Sequence, residues 1–358
     1  MLKIPIDGIQ VKVKKKTLVM TSERPLCILS SAALNGGFNQ ATAIINHQVE
    51  KNFNMEPKAK LRQVIEEQGL PESTIGLMTA ARVDDPGIIF EERGGLTVCA
   101  IVTAGLSNNT INTILLIDGN LTLSCMVNAI ITATEGKCLA LQLLDVRSGT
   151  GVATGTSTDT VTIACTGKGE RIEYAGTATT LGKMIYNTIK NATLQALQKQ
   201  EHVSVGRPIR QRLEELGVTL PKIVEAALSL FVPHPKIESG EKAEQIFVDE
   251  LNNALADPNV CALIYAGIAL ERDAKRGMLN LRGYENDLTS LVADEVLGMS
   301  ISKYIGGYKG LFEYIRYDKA KPGILAELGP FMDDVIAGLI GGVSARMYDV
   351  AARVEKNE

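Results

Sequence analysis

The chain has 358 residues, 45% of them apolar and 22% charged, with a formal net charge of −4 at pH 7. That length favours two domains, and that composition excludes a mainly disordered chain. Seven Phe, nine Tyr and no Trp on a mildly acidic chain argue against a surface that stacks and neutralises nucleic acid.

The charge is uneven. Residues 1–206 balance at +1 and residues 207–358 at −5, so the second half is where a cation site is sought first. Reading from the N-terminus, residues 1–17 lack the apolar core of a signal peptide. Residues 9–15 alternate with period two and predict a strand, as do the apolar runs 26–29, 98–104, 110–117 and 160–165. Helical text covers 58–68, 121–146 and 181–199. Strands and helices mixed over this length predict an N-terminal mixed α/β (α+β) domain. The six cysteines of the whole chain include no CxxC pair and only three histidines occur, which excludes structural zinc and predicts buried, reduced thiols in a cytoplasmic protein.

Residues 198–208 are polar and end in Gly206-Arg207-Pro208, the signature of a boundary. The expected domains are 1–203 and 204–358. After the boundary the text becomes helical throughout: 209–216, 222–231, 244–256, 260–276, 287–304 and 331–354, predicting a C-terminal all-α helical domain. No apolar run approaches the ~18–20 residues of a bilayer span; the most suggestive, 335–345, is short. No membrane span is expected.

Two acidic pairs mark the helical half: Asp294-Glu295, read as lying mid-helix, and Asp333-Asp334. Each sits in strongly apolar text, where buried carboxylates repel and need a cation or proton between them. Two helices each presenting such a pair can supply oxygen ligands for Mg²⁺. A glycine follows each pair by about one turn and permits close approach of another helix or a substrate. Lys321 lies between the pairs and suits a phosphoryl group. The alternative for Asp333-Asp334 is an ordinary helix N-terminus.

Several polar clusters interrupt the first half. Asn35-Gly36-Gly37 follows a strand, and its backbone N–H groups suit an oxyanion or carbonyl. Asn112 opens another strand. Thr134 and Glu135 lie on a helix with Asn128 and Thr132, and Thr156 and Asp159 precede the strand at 160–165. Glu135 and Asp159 are the acid/base candidates for a hydrolysis; Asn35, Gly36, Asn112 and Thr156 are candidate hydrogen-bond donors, with Gly37 and Thr134 beside them in substrate binding. No Ser–His–Asp arrangement is legible, so direct attack by water is preferred. No cofactor is expected in this half.

Two resemblances follow from these blocks. SSAALNGGFNQATAIINHQV, GLMTAARV, NNTINTILLIDG, MVNAIITATEGK, ATGTSTDTVTIAC and YAGTATTLG, in that order, resemble the adenosylcobinamide amidohydrolase (CbiZ) family over residues 24–192. Gly136 departs from the alanine expected in that pattern. LVADEVLGMSISKYIGG, YDKAKPGIL and FMDDVIAGLIGGVSAR resemble the phosphatidylglycerophosphatase A-like family over residues 207–354, whose soluble branch is similar to α-ribazole phosphatases (CobZ). The pairing resembles bifunctional CbiS-type fusions. The resemblance implies hydrolysis of the aminopropanol amide of adenosylcobinamide to adenosylcobyric acid. It also implies dephosphorylation of α-ribazole 5′-phosphate, with Mg²⁺ on Asp294, Glu295, Asp333 and Asp334 and phosphate on Lys321. The expected partners are these small molecules; a homo-oligomer is left open. The rival reading is a non-catalytic corrinoid-binding module fused to a Mg²⁺-dependent phosphatase for another phosphomonoester.

Overall fold

The computed structural model describes residues 2–148, 151–235, 237, 239–286 and 291–353. The chain divides into two compact units, Met1–Val205 and Gly206–Glu358.

In the first unit β1 (Ile9–Lys14) and β2 (Thr17–Ser30) form a hairpin whose two turn residues, Lys15 and Lys16, hold φ of 49° and 56°. That is the left-handed pair a two-residue hairpin needs to match strand twist. Then follow β3 (Gly37–Gln48), α1 (Pro57–Glu67), β4 (Ile75–Thr79), β5 (Gly87–Arg93), β6 (Leu96–Gly105), β7 (Thr110–Asp118) and the two-residue β8 (Asn120–Leu121). After them come α2 (Leu123–Leu143), β9 (Arg147–Ser148), β10 (Gly151–Val152), β11 (Thr160–Cys165), β12 (Arg171–Ile172) and α3 (Thr180–Glu201). The main sheet has the order β4-β3-β2-β11-β7-β6-β5, with β1 added on β2. β11 runs parallel to β7 and β3 parallel to β4; the other pairings in this sheet are antiparallel.

Three cores hold the sheet. One face of β6, β7 and β11 packs on α2 and α3 through Val98, Leu115, Ile163, Met126, Leu181 and Ile185. The other face meets β3 and β4, with Ile44, Ile75 and Leu77 clustered with Ile101, Ile114 and Leu116, so the sheet curls onto itself. α1 covers the far side with Leu61, Val64 and Ile65. At Gly136 the two long helices approach so closely that a Cβ would lie 2.8 Å from the Tyr186 carbonyl oxygen. The glycine that departs from the family pattern is therefore a packing feature.

The second unit contains α4 (Ile209–Glu215), α5 (Leu220–Ser229), α6 (Gly240–Ala256), α7 (Pro258–Lys275), α8 (Ala293–Ala320) and α9 (Pro330–Arg353), with short 3₁₀ turns at Tyr284–Asn286 and Gly323–Glu327. α8 corrects the sequence reading twice. Of the helix expected over 287–304, residues 287–290 lie outside the described residues, and α8 begins only at Ala293. It also runs on past the expected end at residue 304 to Ala320. A break at Gly307, with φ 63° and ψ −148°, divides it. Only glycine adopts that backbone readily.

α9 is the centre of this unit: Val335, Ile336, Leu339, Ile340 and Val343 are fully buried against the other helices. Over Pro330–Ala352 it is long and apolar enough to cross a membrane, with a mean hydropathy of 1.3, but 72% of its most apolar 18-residue window is buried inside the protein. An all-round apolar helix of this kind is what a core position produces. No other single helix among the described residues meets that criterion.

Candidate functional sites

In the first unit the strand registers bring the polar clusters to one end of the sheet. Ser30 pairs with Gly37 and Thr162, Thr160 with Asn112, and Gly105 with Thr110. The loops carrying Asn35-Gly36-Gly37, Asn109 and Thr156–Asp159 therefore share a rim.

Asp159 is the organising group. Its Oδ2 receives Lys137 Nζ at 2.6 Å and Thr156 N at 3.0 Å, while Oδ1 receives Ile111 N at 2.9 Å and the Thr156 hydroxyl. Both side chains of the ion pair are largely buried, at 9% and 12% exposure for Lys137 and Asp159. A Cβ at Gly155 would lie 2.5 Å from Asp159 Oδ2 and 2.9 Å from Lys137 Nζ, so this glycine lets the loop close over the pair. Lys137 has no role in the sequence reading. The available signal is a lysine within an otherwise apolar helix face, which needs a buried carboxylate partner.

Glu135 does not join this cluster. It lies two residues before Lys137 on α2, a rotation of roughly 200°, and is exposed beside a groove of about 670 Å³ lined also by Cys138, Thr177, Lys183, Tyr186 and Asn187. The two acid/base candidates thus occupy different faces. Asn128 Oδ1 accepts from Ala175 N at 2.9 Å and the Thr132 hydroxyl donates to Ala175 O at 2.8 Å, so both clamp the segment before α3. Thr134 donates to Ile130 O within its own helix.

Asn35 is also occupied. Held at φ 54°, it donates its amide to Glu72 O and Thr74 O, both at 2.8 Å, and so fastens the loop before β3. Gly36 sits against Ala32 O, whereas Gly37, at φ 86°, has open space beside it. Asn112 is buried; its amide donates to Asn46 Oδ1 at 3.0 Å and Met78 O at 2.8 Å, and its Oδ1 accepts from the Thr160 hydroxyl. Asn46 in turn donates to Thr103. This network lies where β3 and β4 cross β6 and β7, and it satisfies polar groups that would otherwise be costly there.

In the second unit two helix N-termini meet. Asp294 and Glu295 stand in the first turn of α8, not mid-helix as the sequence was read. Asp333 and Asp334 stand near the start of α9. Where a Cβ would sit on Gly298, Asp334 O lies 2.5 Å away; at Gly338, Gly298 O lies 2.3 Å away. The glycines one turn beyond each pair are thus the point at which the helix backbones touch, and that contact draws the carboxylates together.

Asp294, Glu295 and Asp334 offer oxygens within 4.8 Å of one another. Asp333, expected as a fourth ligand, is not in that group: its Oδ2 receives Lys321 Nζ at 2.6 Å, so Lys321 and Asp333 pair beside the cluster. Of this pair only Asp334 joins the cluster, while Asp333 is turned to Lys321. Asp294 is fully buried and Asp334 nearly so. Burial pushes the carboxyl of Asp294 up to about 7, reinforced by Glu295, and that of Asp334 up to about 8, reinforced by Asp333, Asp318 and Asp294. The Tyr314 hydroxyl, donating to Asp334 Oδ1 at 2.6 Å, opposes the second shift. Asp294 Oδ2 and Glu295 Oε2 are buried without a hydrogen-bond partner. Buried oxygens of that kind fit a divalent cation.

The sequence model of the adenosylcobinamide amidohydrolase (CbiZ) family matches residues 3–110 and 109–205. An adenosylcobinamide amidohydrolase of Methanosarcina mazei is 32% identical over 198 residues, spanning 50% of this chain and 93% of its own. The uncharacterized protein MJ1330 of Methanocaldococcus jannaschii is 35% identical over 113 residues, 30% of this chain and 85% of its own. Among solved structures, the low temperature requirement C protein of Listeria monocytogenes aligns with 28% identity and a TM-score of 0.35, covering 40% of this chain and 93% of its own. With more than half of its length matched by the family model, the chain belongs to the adenosylcobinamide amidohydrolase (CbiZ) family.

Proposed function

We propose that the chain is a bifunctional hydrolase of corrinoid salvage. Its first unit hydrolyses the aminopropanol amide of adenosylcobinamide to adenosylcobyric acid; its second removes phosphate from α-ribazole 5′-phosphate with a divalent cation. The observation that carries the first activity is the family match over residues 3–205. The observation that supports the second is the group of buried Asp294 and Asp334 with half-buried Glu295, which carries two unpartnered oxygens.

In the first unit water attacks the amide carbonyl, and backbone amides beside it receive the developing oxyanion. Asp159 has four donors on its oxygens. Its work is to hold the loop of Thr156 in place. Glu135, exposed beside the groove on α2, retains the acid/base role for the leaving amine. In the second unit Asp294, Glu295 and Asp334 would hold Mg²⁺, with Asp333 orienting Lys321 toward the phosphoryl oxygens. A bound divalent ion there supplies polarisation of the phosphoryl group and a more acidic water.

The test uses the full chain. It is incubated with adenosylcobinamide and, separately, with α-ribazole 5′-phosphate or phosphatidylglycerophosphate, each with Mg²⁺ or with EDTA. Release of aminopropanol in both buffers, and Mg²⁺-dependent phosphate release from α-ribazole 5′-phosphate, are the expected results. Tight corrinoid binding with no aminopropanol released would replace the amidase with a binding module. Preference for the lipid phosphate would overturn the second substrate.

A further inference from the structure

α8 is folded as a hairpin. Ser302 and Gly310 would stand roughly 12 Å apart along an unbroken helix, yet a Cβ on Gly310 would collide with the Ser302 carbonyl oxygen. The backbone reversal at Gly307 therefore lays the second half of the element back along the first. Gly342 of α9 sits at the bend, its carbonyl oxygen 2.8 Å from where a Cβ on Gly306 would be. The returning half carries Tyr314 to the level of Gly298, where a Cβ would lie 2.8 Å from Tyr314 Cε2.

Tyr314 is 3% exposed, and its main chain is pressed on α9: a Cβ on Gly341 would lie 2.5 Å from Tyr314 N. A ring wedged in this way has little freedom, and its hydroxyl donates to Asp334 Oδ1 at 2.6 Å. The terminal torsion of an aspartate is broad unless something holds it. The phenol on Oδ1 sets that rotation, and with it the direction of Oδ2. The neighbouring buried tyrosine of the same half, Tyr317, is engaged elsewhere: its hydroxyl donates to Ala227 O at 2.8 Å and lies 3.2 Å from Ser344 Oγ. We infer that Tyr314 is a positioning residue, which acts through Asp334 by holding that carboxylate where it joins Asp294 and Glu295 around a divalent cation. The inference rests on the metal-dependent reading of the second unit and adds to it a residue outside the carboxylate group.

The test is calorimetric titration of the full-length chain, stripped of metal with EDTA, with Mg²⁺ alone. The parent, Tyr314→Phe and Tyr317→Phe are compared; each variant loses one buried hydroxyl. Tyr314→Phe is expected to weaken Mg²⁺ binding at least about tenfold, as the loss of an outer partner of a ligand does, and Tyr317→Phe to leave it within about twofold of the parent. A second reading needs no variant to fold. Mg²⁺ added to the parent should perturb the ultraviolet absorption of tyrosine, because the cation draws charge from the carboxylate that the phenol faces. Unchanged affinity in Tyr314→Phe, equal weakening in both variants, or no tyrosine perturbation in a parent that binds Mg²⁺ would overturn the positioning role while leaving the metal site standing. Absence of Mg²⁺ binding to the parent would overturn the metal-dependent reading itself, and the role with it.

Discussion

Lys137 shows how much can rest on a single buried side chain. Its ammonium is shut in with Asp159 beneath Gly155, and removing one member of such a pair strands the other's charge. Lys137→Met is therefore expected to lower stability by about 3–5 kcal/mol, read from urea unfolding of the full chain. The double variant Lys137→Met with Asp159→Asn should recover part of that loss. In the second unit the raised carboxyls make a pH prediction. A carboxyl near 7 or 8 when folded and near 3.8 when unfolded keeps its proton in the native state over that interval. Its stabilising contribution is then complete below about pH 4 and is lost as the pH rises toward 8. In EDTA the melting temperature should fall between pH 5 and pH 8; added Mg²⁺ should raise it most at pH 8, where the carboxylates are free to bind. A Mg²⁺ effect that does not grow with pH would contradict this. Residue types were legible from the sequence, but their facing was not: Asp333 and Asp334, like Glu135 and Lys137, are separated by helix rotation that one-dimensional text does not display.

At the scale of elements, α8 and α9 touch backbone to backbone at Gly298 and Gly338. Gly338→Ala places a methyl 2.3 Å from Gly298 O and must push the helices apart, a change expected to cost about 1–3 kcal/mol. It should also weaken the melting-temperature gain from Mg²⁺, whereas Gly206→Ala, with open space around it, should leave that gain unchanged. The strands at Ile9–Lys14 and Thr160–Cys165 were readable from alternation and apolar runs because each has an apolar side fully committed to a core. β3 escaped because Asn39, Gln40, Asn46 and His47 break its pattern, and the reason is structural: Asn46 belongs to the buried network around Asn112. β4 escaped because it is only five residues long, and β5 because its text ends in Glu91-Glu92-Arg93 and little of it is buried.

For the whole molecule, the contacts divide the chain at Val205 and Gly206, beside the polar stretch that the sequence marked as a boundary. The change from mixed to helical text was the most legible feature of all, because strand and helix periodicities are different signals. If each unit carries its own chemistry, residues 1–205 expressed alone should retain amide hydrolysis and residues 206–358 should retain EDTA-sensitive phosphate release. Each should keep a rate within about threefold of the intact chain. Loss of both activities on separation would show that the units depend on one another.

The contact between Gly298 and Gly338 also acts as a gauge. With no side chains between the backbones there, the gap between Asp294 and Asp334 is set by main-chain atoms that have little room to adjust. Ions are then sorted by radius more than by charge, since a larger ion wants longer bonds and more ligands than a fixed gap allows. Ca²⁺ should accordingly protect the protein against heat less well than Mg²⁺ at equal concentration, and exchanging one glycine for a larger residue should narrow or reverse that order.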